Sequence, residues 1–363
     1  MNTPPLVIIT TRLPPAICGI GTYSWLLRRY WPNEAARFLV VDATEPMEAT
    51  ERGDVVVAFG HRPDALAREL DRIGPATLLL HYAGRAYHRF GFPFWLPRVL
   101  TSWRRRFTGA RLSLFVHEVP GPLPFASRHF WLGELSKYVL RRLATSADVL
   151  ITNTEHHATA LRRISGRQDV VLIPIGSNID SSSPAVAETR AGDEFVVFGL
   201  SFGRLQTLRL YAEHIRGWIA SGVLRCLHLI GPADDVFAKD ADALIAHYGG
   251  SDLVVRHGVL PSEQVARLLR TSGFALTNAN AETWSKSGTF MACAANSCPV
   301  VIAASVHDVP LSFTVAADEV ASISRAELET RAAKLKAWYD ANADWPVTAA
   351  KVAALLRDGS PSA

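Results

Sequence analysis

At 363 residues the chain is longer than one ordinary core and fits two domains. Hydrophobic residues at 48% and charged residues at 20% exclude a disordered chain. A net charge of +4, with no zinc-finger spacing and no basic recognition helix, gives no case for nucleic-acid binding. Cys18, Cys226, Cys293 and Cys298 lack metal-type spacing and read as buried thiols of a reducing compartment. The start, Met-Asn-Thr-Pro-Pro, lacks a basic region followed by a signal-length apolar run, and no apolar stretch reaches about 18 residues. The expectation is a cytoplasmic protein.

In chain order, Leu6–Thr10 is a short β-type run, followed by a glycine loop, Arg12 to Gly21, and an amphipathic helix from Thr22 to Tyr30. A strand, a glycine turn and a helix start present backbone N–H groups to an anion, although Gly-x-Gly alone also fits a tight turn with no ligand. Strand-like runs follow at Arg37–Val41, Asp54–Phe59, Ala76–His81, Arg111–His117, Asp148–Thr152 and Val170–Pro174. Helical patterns fall between them at Pro63–Ile73, Leu132–Thr145 and Glu155–Ile164. Continuous apolar strands alternating with helices predict a parallel sheet covered on both faces.

His81 and His117 end two of these strands, where open parallel sheets bind ligands; a packed or capping histidine is the other reading. Phe90 to Phe107 interleaves six aromatics with Arg98 and the run Arg104-Arg105-Arg106. Two readings stand: an amphipathic helix with aromatics inward and arginines solvated, or a monotopic patch in peripheral contact with anionic lipid. In the second case the location is the inner face of the plasma membrane. The polar segment 180–192 is expected to link the domains.

The alternation restarts with a strand at Phe195–Leu200, a helix at Leu205–Ala220, a strand at Arg225–Ile230 and a helix at Ala233–Tyr248. Leu253–His257, Pro261–Arg270 and Gly273–Thr277 continue it. Then comes Ala279 to Ile302, in which Glu282 precedes a turn with Lys286, Ser287 and Gly288, a small-residue helix over Phe290–Asn296, and a last apolar run from Cys298. Ser324–Ala341 and Pro346–Leu356 read as helices. Asp240-Ala-Asp242 lies inside a helical pattern and reads as solvated surface, so no metal is expected.

Several of these segments, in this order, resemble the GT-B glycosyltransferases, specifically the retaining family 4, or "glycosyl transferases group 1", type. The motifs are Gly19-Ile-Gly21, with Cys18 where the family has another glycine; TSADVLITNT from Thr145; VVLIPIGSNI from Val170; Gly203-Arg204 with Arg209; His257-Gly258 before Pro261; and Glu282 before Cys298-Pro-Val-Val-Ile302. The family signature places a second Glu eight positions after the first; Phe290 stands there instead.

The resemblance implies an α/β protein of GT-B architecture, two Rossmann-like domains with parallel sheets facing a central cleft. Its divisions are an acceptor domain (1–179), the linker (180–192), a donor domain (193–340) and a C-terminal helix (345–357) that crosses back. It implies metal-independent transfer of a sugar, with retention, from a nucleoside diphosphate sugar to a glycan or lipid-linked acceptor, with no cofactor besides that co-substrate. His117 and Glu282 are then the catalytic pair. Gly19, Gly21, Arg204, Arg209, His257, Gly258, Lys286, Ser287 and Gly288 bind the donor, with the base near His257 and Gly258. His81 and Tyr82 lie on the acceptor side. Two alternatives stay open: a sugar-nucleotide 2-epimerase, and a degenerate GT-B scaffold that binds glycan or protein.

Overall fold

The computed structural model describes residues 4–16, 18–32, 36–42, 53–121, 130–179, 190–232, 235–303 and 310–358. The chain begins β1 (Leu6–Thr10), α1 (Gly19–Arg29), β2 (Arg37–Val40), β3 (Val55–Ala58), α2 (Pro63–Ile73) and β4 (Thr77–Tyr82). It continues α3 (Gly84–Tyr87), α4 (Trp95–Arg106), β5 (Arg111–Val116), α5 (Phe130–Ser146), β6 (Val149–Thr152), α6 (Glu155–Ser165) and β7 (Val170–Leu172). Next come β8 (Ala191–Phe198), α7 (Ser201–Leu210), α8 (Ala212–Ala220), β9 (Cys226–Ile230), α9 (Asp235–His247), β10 (Val254–Gly258) and α10 (Ser262–Thr271). The last elements are β11 (Ser272–Leu276), α11 (Gly288–Ala295), β12 (Val300–Ile302), β13 (Val315–Ala316), α12 (Arg325–Asn342) and α13 (Trp345–Asp358).

These elements form two compact units, Met1–Pro174 with Trp345–Ala363, and Ile175–Asp344. Among the described residues the first holds a seven-stranded sheet in the order β3-β2-β1-β4-β5-β6-β7, and the second a six-stranded sheet, β10-β9-β8-β11-β12-β13. Every pairing is parallel. In each sheet the chain starts in the middle, moves outward one way, then returns to the other side. That reversal leaves a crevice at the carboxyl ends of β1 and β4, and another at those of β8 and β11.

In the first unit Leu78, Leu80, Leu112 and Leu114 meet Leu66, Leu70, Leu100, Trp103 and Leu143. Trp103 is fully buried and its indole N–H donates to the Gly74 carbonyl at 3.0 Å. The aromatic at this position of the Phe90–Phe107 segment therefore packs inward. Arg28 and Asp54 form an ion pair at 2.9 Å with both side chains essentially inaccessible. The second unit packs its sheet on both faces. Val196, Ile230, Ala275 and Val300 meet Phe290, Leu335 and Tyr339, while Phe195, Val197 and Leu229 meet Tyr211 and Trp218.

Three expectations are corrected here. The first helix starts at Gly19, so Gly19 and Gly21 belong to its first turn and not to a loop. A helix expected over Leu205–Ala220 is two, broken at Tyr211, whose buried hydroxyl donates to the carbonyls of Thr277 (2.9 Å) and Val301 (3.0 Å). Strand β8 begins at Ala191, inside the segment read as linker, of which 180–189 lie outside the described residues.

Candidate functional site

In the second unit the crevice between β8 and β11 is built by two helix starts. Two residues separate β8 from α7, and Ser201 at the first position of the helix donates through its hydroxyl to the Pro232 carbonyl at 2.9 Å. Helix α11 is capped by Ser287, whose Oγ accepts from the Phe290 N–H at 3.2 Å. Thr289 Oγ1 donates to the Phe198 carbonyl at 3.1 Å, which pins the start of α11 to the end of β8. Asn278, just beyond β11, donates to Gln206 of α7 at 3.1 Å. The amides of a first helical turn have no partner within their helix, so both starts offer N–H donors at the sheet's carboxyl edge.

Arg204 lies in this crevice, half-buried, and its guanidinium donates to the carbonyls of Gly199, Ile230 (3.4 Å) and Pro232 (2.8 Å). Burial lowers its pKa from the ordinary arginine value, and it ties together the ends of β8 and β9 while adding positive charge to the edge. A side chain on Gly231 has no room: a Cβ there would sit 2.0 Å from the Gly199 carbonyl oxygen and 2.3 Å from Arg204 Nη1. Gly231 also holds φ +134°, which disfavours any other residue.

Glu282 stands on the loop between β11 and α11. Asn280 Oδ1 accepts from the Glu282 N–H at 3.0 Å and from the Thr283 hydroxyl at 3.0 Å, a local turn that fixes the loop. The Glu282 carboxylate is exposed and has no partner among the described residues, and Lys286 is exposed on the same loop. Gly288 lies near Asn178, whose Oδ1 would be 3.8 Å from a Cβ there; Asn178 was not singled out from the sequence. Phe290, where a second Glu is expected, is fully buried against Trp284. That position serves the core and presents nothing to a ligand.

Arg209 does not join this group. It sits at the far end of α7, about 12 Å along the axis from Ser201 at 1.5 Å per residue, and pairs with Asp240 of α9 at 2.8 Å on the exposed surface. Asp242 likewise pairs with Arg256. His257, read as a base contact, turns to His228 instead, Nε2 to Nδ1 at 2.9 Å, and His228 in turn meets Glu194 at 3.3 Å. Burial and the His228 charge lower the His257 pKa. Gly258 ends β10 with φ +65°, beside that pair.

In the first unit the crevice between β1 and β4 is filled from within. Gly21 carries no side chain because a Cβ would lie 1.4 Å from the Arg12 carbonyl oxygen, so its close approach is to the chain's own backbone. Gly19 has open space beside it. His81, with no exposed surface, and His117, 9% exposed, share a hydrogen bond of 2.9 Å between Nδ1 of the first and Nε2 of the second. Tyr23 of α1 packs edge-on against both rings and against Trp345 of α13. Its hydroxyl and His81 Nε2 are buried without a hydrogen-bond partner among the described residues.

Desolvation pushes the His117 pKa down to about 3, with the nearby His157 lowering it further, and holds that of His81 well below the ordinary value. Both imidazoles are neutral at pH 7. Tyr82 is also buried, stacked on Tyr87 at 6.1 Å between centroids. The acceptor-side reading of His81 and Tyr82 is therefore corrected: neither is accessible, and His81 positions His117. Tyr23 and His157 complete this cluster and were missed, since both lie on helices and no strand-end pattern marks them.

No protein-family model matches the chain, and no curated protein matches it by sequence. Solved structures match over nearly the full length. A complex of HepE from Anabaena with UDP and glucose superposes with a TM-score of 0.67 at 14% identity, covering 98% of this chain and 100% of that one. Sucrose-phosphate synthase from Thermosynechococcus elongatus gives 0.63 at 14% identity, over 97% and 98%. A glycosyltransferase from Rickettsia africae gives 0.68 at 10% identity, over 99% of both. With its two all-parallel sheets of Rossmann order, the chain has the GT-B fold of two Rossmann-like domains.

Proposed function

We propose that the chain is a glycosyltransferase that moves a sugar from a nucleoside diphosphate sugar to a hydroxyl of a glycan or lipid-linked acceptor, with retention and without a metal. The observation that carries this reading is the second-unit crevice, where the start of α11 is pinned to the end of β8 and Arg204 is held at the ends of β8 and β9, with Glu282 on the loop that leads into α11. In transfer, the acceptor oxygen forms its bond to the anomeric carbon as the bond from that carbon to the diphosphate breaks. The hydroxyl proton passes to an oxygen of the departing diphosphate, on which negative charge develops as the bond breaks. Fixed amide dipoles aimed at that charge, with the positive charge of Arg204 behind them, lower the barrier without reorganisation.

In this assignment Ser287, Gly288 and the start of α7 face the diphosphate, Arg204 supplies charge from behind them, and Glu282 accepts hydrogen bonds from the sugar hydroxyls. His117, read from the sequence as catalytic, is packed among His81, Phe115 and Tyr23 and takes no part in this assignment. Lys286 adds charge at the loop. Similarity to structures holding UDP, or UDP with glucose, supports a uridine nucleotide as the first donor to try.

The test is turnover with a panel of UDP and GDP sugars, comparing wild type with Glu282→Gln. The substitution leaves folding unchanged, because the side chain is exposed and unpartnered, and it lowers kcat/KM more than tenfold. Kinetics equal to wild type would remove Glu282 from the mechanism. The burial of Phe290 favours one second reading, a scaffold without nucleotide affinity, which calorimetry with UDP and GDP separates from the first.

A further inference from the structure

The segment Phe90–Phe107 leads to a surface on the first unit that the crevice does not use. Helices α4 and α5 line a groove of 280 Å³, with Phe94, Arg98, Ser102, Arg105, Tyr138 and Arg142 among its residues and, among the described residues, no acidic side chain in its wall. Arg98, Ser102 and Arg105 fall at i, i+4 and i+7 on one face of α4, and Tyr138 and Arg142 at i and i+4 on α5. The three guanidiniums are exposed and have no ion pair or hydrogen bond among the described residues. Their neighbours behave otherwise. Arg104 is tied to the Ser146 carbonyl and Asp148, and Arg106 to Asp71, so two of the three arginines of the basic run are structural.

An aromatic ridge runs into the same groove. Arg89 sits 4.2 Å over the ring of Phe90, and ring contacts continue from Phe90 to Phe92 (6.0 Å), Phe92 to Phe94 (5.6 Å) and Phe94 to Tyr138 (6.2 Å). Both ends of the ridge are open, with Phe90 46% and Tyr138 55% exposed, and Leu135 lies beside Tyr138 on α5 at 38%. Three uncompensated cations beside exposed aromatic rings match the layered chemistry of a bilayer surface, with phosphate headgroups outside and acyl chains beneath.

We propose that this face docks on a membrane surface bearing anionic phospholipid, with Arg98, Arg105 and Arg142 around a lipid phosphate and Phe90, Leu135 and Tyr138 seated in the interface. The inference deepens the proposed function by naming where a lipid-linked acceptor is met, and in that respect rests on it. It differs from the composition-based expectation in two ways. The working cations come from two helices, and Arg104 and Arg106 are not among them.

The experiment is co-sedimentation of the full chain with vesicles of phosphatidylglycerol in phosphatidylcholine, and of phosphatidylcholine alone. An arginine near an anionic surface contributes about fivefold to partitioning, so Arg98→Ser/Arg105→Ser/Arg142→Ser loses on the order of a hundredfold. A control with the same net charge, Arg62→Ser/Arg163→Ser/Arg325→Ser, removes exposed arginines from elsewhere and loses less than fivefold. Phe90→Ser/Tyr138→Ser weakens binding at high and low salt alike, since it removes the apolar contribution. All of these side chains are exposed, so thermal unfolding followed by circular dichroism stays at the wild-type midpoint.

Equal losses in the two arginine variants would overturn the proposal. So would absent wild-type binding to the anionic vesicles, or binding of inorganic pyrophosphate without any vesicle association. UDP calorimetry on the same proteins separates the two readings: nucleotide binding intact in the groove variant is expected. Vesicle binding with no nucleotide binding in any form would end the donor assignment and leave this one standing.

Discussion

The buried pair His81 and His117 shows how a residue's surroundings decide its chemistry. An ordinary histidine titrates near pH 6.5, but these two are held neutral by desolvation inside the first unit. The sign of the consequence follows from linkage. The unfolded chain binds a proton at each histidine below about pH 6.5 and the folded chain does not, so stability is full above that pH and falls as pH drops toward the folded pKa. His117, with its folded pKa near 3, therefore removes about 2 kcal/mol by pH 5, and His81 acts in the same direction. Urea titrations at pH 7.5 and pH 5 measure this loss, and His81→Phe/His117→Phe is expected to flatten it. An unchanged slope in that variant would show that the pair is not the source. The histidines were legible at strand ends, but their mutual bond, and Tyr23 covering them, were not, because those contacts join positions far apart in sequence.

At the level of elements, the strands were readable because parallel strands are buried on both faces and must be apolar throughout. Leu6–Thr10 and the helix Pro63–Ile73 coincide with their sequence limits. Local composition does not reveal which charges are already engaged. Arg204 and Arg209 look alike in sequence, yet one is wrapped by carbonyls at strand ends and the other pairs with Asp240 across two surface helices. The partners that distinguish them, Ile230 and Pro232 for the one and Asp240 for the other, lie more than twenty residues away. The two-residue strand β13 is too short to carry a pattern. The close join of β8, β9 and α7 depends on Gly231. Gly231→Ala would force the Gly199 carbonyl or Arg204 to move and is expected to cost about 2–4 kcal/mol in urea denaturation, mostly from backbone strain. A loss under 0.5 kcal/mol would show that the join is loose.

For the whole molecule, one architecture is used twice with different outcomes. Both units place a crevice where the strand order reverses. In the first, Gly21, Tyr23 and two neutral histidines close it from within; in the second, two helix starts leave donors at its edge. The sequence resemblance carried the architecture because the order of its motifs reflects the order of strands. It carried the individual site residues less well. A motif marks the loop at the sheet edge, whereas the direction of a side chain within that loop is set by packing, as Phe290 and His257 show.

On the proposed function, a nucleoside diphosphate sits against the starts of α7 and α11 in the second unit. Amide hydrogen exchange of the full chain, with and without saturating UDP, reads those amides directly. Slowed exchange at 199–204 and 286–290, with α9 and the first-unit helices unchanged, is the expected result. Exchange unaltered in both segments while UDP binds elsewhere would contradict it.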